Sequence, residues 1–247
     1  MATTLPVDDL AEKSSFIFRG TVQKLKASSV PNLPVTDNTV LVRVDQVFRV
    51  PEVLGNLVGK QITVQLNTPA SATVGQSFTL FTVPIVFAES IAVRELGRTE
   101  TPPEAARARA HADQVSAAIQ VLPDKLLRRH LNEADVVVTG KVLSIKQRKT
   151  PLSHGISEHD PDWHEAVIQV ESVERGKAPS KRLSILFPGS RDVQWYQSPK
   201  LTVGQEGVFV LHRRQIGELK AEYYAVIDPL DFHPQQRRER IRALLKQ

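Results

Sequence analysis

Apolar residues along this chain fall into short runs, either continuous or alternating with polar residues, and turn-forming stretches separate them. Residues 16–22 (FIFRGTV) and 136–142 (VVVTGKV) are near-continuous apolar runs, each with one glycine inside. A glycine in such a run marks a bulge or a sharp bend of a strand. Residues 39–47 and 165–173 alternate, with Val40, Val42 and Val44 on one face of the first and Ile168 and Val170 on one face of the second. Runs at 61–66 and 182–187 predict third strands, and runs at 78–83 and 208–211 predict fourth strands. Residues 222–227 predict a fifth strand in the second half, and residues 85–93 take the same role in the first.

These runs come in the same order twice. The tetrapeptide TVGQ stands ahead of each fourth run, at Thr73–Gln76 and again at Thr202–Gln205. Four matching blocks at an offset of about 120–130 residues make the chain an internal repeat. Each copy opens with Leu-Pro (Leu5-Pro6 and Leu122-Pro123) before a short stretch that reads as a lead-in helix. Five short strands per copy with little helix predict a small barrel. The expected fold is mostly β with a few helices: two tandem OB-like five-stranded barrels joined by a helix, plus a C-terminal helix.

The helices are read from composition and punctuation. Residues 101–122 are alanine-rich, with Pro102-Pro103 at the head and Pro123 beyond the tail, and Val115, Ala118, Ile119 and Leu122 form one stripe. Residues 235–247 set Ile241, Leu244 and Leu245 against arginines, a basic amphipathic helix. The expected division is a first barrel at 1–100, a linker helix at 101–122, a second barrel at 123–234 and the C-terminal helix at 235–247.

Three segments of the second copy, residues 134–142, 170–176 and 203–211, and more weakly residues 14–22 and 74–81 of the first, resemble the tissue-inhibitor-of-metalloproteinase and netrin-like group of OB-fold barrels. The resemblance implies the scaffold. In that group inhibition depends on an N-terminal cysteine that chelates the protease zinc, whereas this chain begins Met1-Ala2-Thr3 and has no cysteine. Metalloproteinase inhibition therefore does not carry over.

Composition narrows the function. The absence of cysteine excludes disulfides, thiolate zinc sites and a thiol nucleophile, and it fits a reducing compartment. With neither a signal-like start nor an apolar run of membrane-helix length, a cytoplasmic location without membrane insertion is expected. The net charge is +5, but residues 235–247 hold five Lys/Arg against one Glu and so carry +4 of it. A basic total that comes from one terminal helix is not a basic binding face.

The chemistry-bearing residues gather in the second copy. The segment 146–166 (KQRKTPLSHGISEHDPDWHEA) holds three of the seven histidines beside carboxylates. His154, His159, His164 and Asp160 are the candidate metal ligands, because imidazole and carboxylate suit zinc, iron or nickel. Their spacing matches no metal signature, and a solvated loop in which Asp160-Pro161 starts a turn is the plainer reading. No nucleophile elbow and no glycine-rich phosphate loop is present, so a non-catalytic protein without a cofactor is expected. A triad of Ser190, Asp192 and His212 can be drawn, but a turn after a strand is the simpler account.

Two tryptophans, three tyrosines and nine phenylalanines barely fill two barrel cores. The predicted second and third strands carry aliphatic residues where base-stacking platforms belong. The adjacent Trp195 and Tyr196 point to opposite sides of a loop, which leaves one of them exposed next to Arg191. An exposed aromatic beside arginine is the usual make-up of an interface anchor. The expected function is a binding or assembly module that recognises a protein partner through Trp195, Tyr196, Arg191, Trp163, Arg148 and Lys149. Single-stranded nucleic-acid binding is the alternative, weakly supported by charge. A metal-dependent hydrolase at the histidine-rich loop is a second one.

Overall fold

The structure, a computed structural model, describes residues 5–68, 72–87, 90–148, 160–192, 194–216 and 222–246. It divides into two compact units, Met1–Pro123 and Asp124–Gln247. The first contains α1 (Val7–Lys13), β1 (Phe16–Leu25), β2 (Thr39–Arg49), β3 (Gln61–Gln65), β4 (Ser77–Phe87) and β5 (Ile91–Glu100). The helix α2 (Ala105–Glu133) belongs to both. The second continues with β6 (Val136–Gln147), β7 (Trp163–Gly176), β8 (Arg182–Pro188), β9 (Glu206–Gln215), β10 (Glu222–Ala225), β11 (Phe232–Pro234) and α3 (Arg238–Leu245).

Each unit is a closed five-stranded barrel of OB-like connectivity. In the first, the strands run β1-β2-β3-β5-β4 around the ring, antiparallel throughout except for the parallel pair β3·β5. In the second, β6-β7-β8-β10-β9 form the same ring with the parallel pair β8·β10, and β11 adds to β9. The repeat extends to irregularities. The β1·β2 ladder shifts register at Ile17/Phe18, Arg19/Gly20 and Val22/Lys24, and β6·β7 shifts at Val137/Val138, Thr139/Gly140 and Val142/Ser144. At the central shift a side chain has no room. A Cβ on Gly20 would lie 2.7 Å from the Arg43 carbonyl oxygen, and one on Gly140 would lie 2.4 Å from that of Gln169.

The paired TVGQ segments are one turn built twice. Gly75 and Gly204 take φ of +87° and +85°, the left-handed region that favours glycine. The Gln76 and Gln205 side-chain oxygens accept from the Thr73 and Thr202 amides, and the turns bond to Val22 and Val142.

Inside each barrel sits an aliphatic and aromatic core, with Phe16, Phe18, Val42, Ile62 and Leu80 in the first. Val138, Ile168, Ile185, Phe209 and Leu211 fill the second. Helices cover the same outer face in both. Leu10 and Ala11 of α1 and Val115 and Ala118 of α2 pack on Ile17 and Phe81. Leu127 and Leu131 of α2 and Ile241 and Leu244 of α3 pack around Val137, Val208 and Val210.

The helix between the barrels differs from the 101–122 expectation. It begins at Ala105 and runs through Pro123 to Glu133, absorbing the lead-in stretch of the second copy. Proline removes one helical hydrogen bond and crowds the preceding turn, at about 3 kcal/mol. Burial of Leu127 and Leu131 beyond it returns roughly 1.5–3 kcal/mol each, so the helix continues. The fifth strand of the first barrel is also displaced, from the expected 85–93 to Ile91–Glu100, because β4 runs on to Phe87. Among the described residues no helix is long and apolar enough to cross a membrane.

Candidate functional site

The loop after β8 is built around one lysine. Lys200 donates from Nζ to the carbonyls of Pro188 and Trp195, both at 2.8 Å, and the Trp195 amide donates to the Asp192 carbonyl at 2.9 Å. Burial, and then the charge of Arg191, lower the pKa of Lys200. This framework holds Trp195 half-buried and leaves Tyr196 59% exposed. Trp195 meets Trp163 edge to face, with ring centroids 6.0 Å apart.

Trp163 opens β7 and packs, with Tyr223, on an outer cluster of Leu186, Ile216 and Ala225. Arg148 lies beside this cluster. Its amide donates to the Trp163 carbonyl at 2.9 Å, its guanidinium covers the Tyr223 ring at 5.3 Å, and its Nε is 3.4 Å from Glu165. A hydrogen bond from Ser184 holds the Glu165 carboxyl below its usual range; burial opposes this, and Lys146 and Arg148 add to it. Trp163, Trp195 and Arg148 are thus brought together, with Tyr196 next to Trp195 in the chain. Arg191 is exposed, and Lys149 lies outside the described residues.

The proposed ligands of the histidine-rich loop fare differently. His154 and His159 lie outside the described residues. Asp160 is exposed and its Oδ1 accepts from the Asp162 amide at 2.8 Å. His164 donates from Nδ1 to the Asp162 carbonyl at 2.8 Å and packs against Phe187, centroid to centroid 5.5 Å. The drawn triad is not assembled: Ser190 Oγ accepts from the Asp192 amide, and His212 contacts His130 instead.

A group that no spacing in the sequence singles out does converge. His130 near the end of α2, His212 on β9 and Asp231 in the turn Pro229–Asp231 meet on the outside of the second barrel. His130 Nε2 is 2.6 Å from Asp231 Oδ1 and 3.3 Å from His212 Nε2, and His212 Nε2 is 3.7 Å from the same Oδ1. The other carboxylate oxygen, Oδ2, accepts from the amides of Ile227 at 2.7 Å and Asp228 at 2.8 Å. Asp231 is fully buried, and each imidazole keeps 13% of its side chain exposed. Burial lowers the pKa of His212, with the Asp231 charge opposing it. Two imidazole nitrogens and a carboxylate oxygen in this arrangement can either share a proton or hold a metal ion.

No family model and no curated protein matches the chain. Among solved structures it is similar to wild-type single-stranded DNA binding protein from Thermus aquaticus, at 8% identity over 85% of this chain and 89% of that one, with a TM-score of 0.19. A TM-score that low carries no argument about function.

Proposed function

We propose that this chain is a non-catalytic binding or assembly module, and that its second barrel recognises a protein partner through the face around Tyr196. The observation that carries the reading is a large aromatic residue, Tyr196, mostly exposed, on a loop held by part-buried hydrogen bonds beside two half-buried tryptophans. A rigid aromatic anchor loses little conformational freedom on binding and contributes a large contact area. Arg148 and Arg191 supply the polar margin, and Glu165 balances part of their charge. The resemblance to the inhibitor and netrin-like group enters this reading as a scaffold likeness alone. With no cysteine to protect or pair, such a module suits the cytoplasm.

Single-stranded nucleic acid fits this face less well. Stacking recognition needs open ring faces on the outer side of the second and third strands. Outer positions there are Glu165, Val167 and Gln169 on β7 and Arg182 and Ser184 on β8, and the indoles of Trp163 and Trp195 pack on each other.

The test is a photo-crosslinkable phenylalanine analogue at position 196 of the intact chain, with a matching one at Val74, an exposed turn position of the first barrel. Crosslinking is done in nuclease-treated lysate of the source organism, with a labelled oligonucleotide titration in parallel. The reading expects one protein crosslinked from position 196 and not from 74, and lost when Trp195 is changed to Ala. Crosslinks to nucleic acid alone, with affinity that falls steeply with salt, would replace it with the nucleic-acid reading.

A further inference from the structure

We propose that His130, His212 and Asp231 form a binding site for one divalent transition-metal ion, zinc by preference, which fastens α2, β9 and the 229–231 turn together. The protons at hand cannot serve all three converging atoms. A neutral imidazole nitrogen offers either a proton or a lone pair. If His130 Nε2 donates to Asp231 Oδ1 across 2.6 Å, it has no lone pair left for His212 Nε2 at 3.3 Å. His212 Nε2 is itself 3.7 Å from Oδ1, too far for a hydrogen bond. Three converging atoms are then served by one proton, whereas a cation between them would be bound by all three.

The geometry is close to what zinc requires. Tetrahedral bonds of about 2.0–2.1 Å separate ligand atoms by roughly 3.3 Å, and the three observed separations straddle that spacing. The carboxylate is already oriented, because two backbone amides hold its far oxygen. Two imidazoles and one carboxylate suit zinc and its transition-metal neighbours, whereas calcium and magnesium take oxygen ligands. Partial exposure of both imidazoles leaves a side on which water completes the set.

The first barrel has no counterpart of the two histidines. Matching β1 to β6 through Gly20 and Gly140 and following the chain back into the preceding helix puts Leu10 where His130 stands. Matching Ile17↔Phe81 to Val137↔Val210 puts Val83 where His212 stands. The same scaffold closes with leucine and valine at these places in the first barrel. The histidines are an addition in the second.

The experiment uses the full chain, stripped with a chelator and dialysed against buffered Zn2+, with bound metal measured by mass spectrometry and unfolding followed by circular dichroism. The expected result is roughly one zinc per chain and a rise of about 5–10 °C in an unfolding midpoint at saturating zinc. His130→Leu and His212→Val, which install the residues of the first barrel, lose both effects. Should either variant fail to fold, Co2+ replaces Zn2+ in the wild-type chain: the proposal expects the intense visible bands of a tetrahedral nitrogen–oxygen site. Two outcomes overturn it: a folded wild-type chain that takes up neither ion, or zinc kept by the His130→Leu/His212→Val chain and lost with His154→Ala/His159→Ala.

Discussion

The two barrels share ring order, three register shifts and the glycine–glutamine turn, yet they fasten their covering helices by different chemistry. By register, Phe48 of the first barrel stands where Glu174 stands in the second. Phe48 packs on the apolar layer under α1 and the first half of α2. Glu174 is nearly buried and accepts from Thr139, Ser172, Arg238 and Arg242, tying α3 down by charge. Arg240 pairs with Asp124 as well, so the basic face of α3 is engaged within its own unit. One feature is kept in both: Arg49 donates to the Ala11 carbonyl at the end of α1, and Arg175 to the Asn132 carbonyl at the end of α2. The ring tolerates an apolar or an ionic clamp on its outer face, provided that the clamp is complete.

The largest expected effect tests the equivalence itself. Gly20→Ala and Gly140→Ala should each destabilise their own barrel by about 3 kcal/mol or more, because the new Cβ meets backbone that cannot move aside. A harmless Gly140→Ala, measured by urea unfolding, would mean that the shared bulge is not required. Next comes the clamp. Glu174→Ala should cost about 1.5–3 kcal/mol by removing the charged acceptor shared by Arg238 and Arg242, of which Arg242 keeps Glu239, and Phe48→Ala roughly 2 kcal/mol as lost packing. Equal losses that respond alike to salt would erase the proposed difference in chemistry.

Acid separates the two further. Burial disfavours the Glu174 charge, but bonds from Arg242, Ser172, Thr139 and Arg238 outweigh it and hold the carboxyl at about 2, against 4.5 for an ordinary glutamate. Since the folded value is the lower one, its stabilisation is complete above 4.5 and is lost as pH falls towards 2. The wild-type chain should lose stability across that window and a Glu174→Gln chain should lose less, with denaturant midpoints as the readout. The smallest effect belongs to the turns. Gln205→Ala removes one side-chain bond to a backbone amide and should cost about 0.5–1 kcal/mol, and Gln76→Ala, which also gives up exposed bonds with the Thr73 hydroxyl and Glu100, should cost slightly more.

What could be read from the sequence follows from how local each cause is. The TVGQ turns and the glycine-bearing first strands are specified within a few residues, so the repeat and the barrel fold were legible. The α2 boundary was not, because Pro123 is a local stop signal overridden by the burial of Leu127 and Leu131 in tertiary packing. The three-residue β11 has too few positions for any period to show. An exposed ring at Trp195 or Tyr196 was expected from two adjacent aromatics in a loop, but which of the two it is depends on the contact of Trp195 with Trp163, which joins segments far apart in the chain. The convergence of His130 and Asp231 on His212 escaped because only folding brings the three together. A signal did exist: a histidine that falls, in register, where the other copy has leucine or valine.

The two indoles have one more consequence. The chain has only two tryptophans, and both lie in the second unit, in contact with each other. Indole emission is therefore blind to the first barrel, while backbone dichroism sees both. Followed by the two signals together, the unfolding of each half can be timed separately, with no label attached and no residue changed.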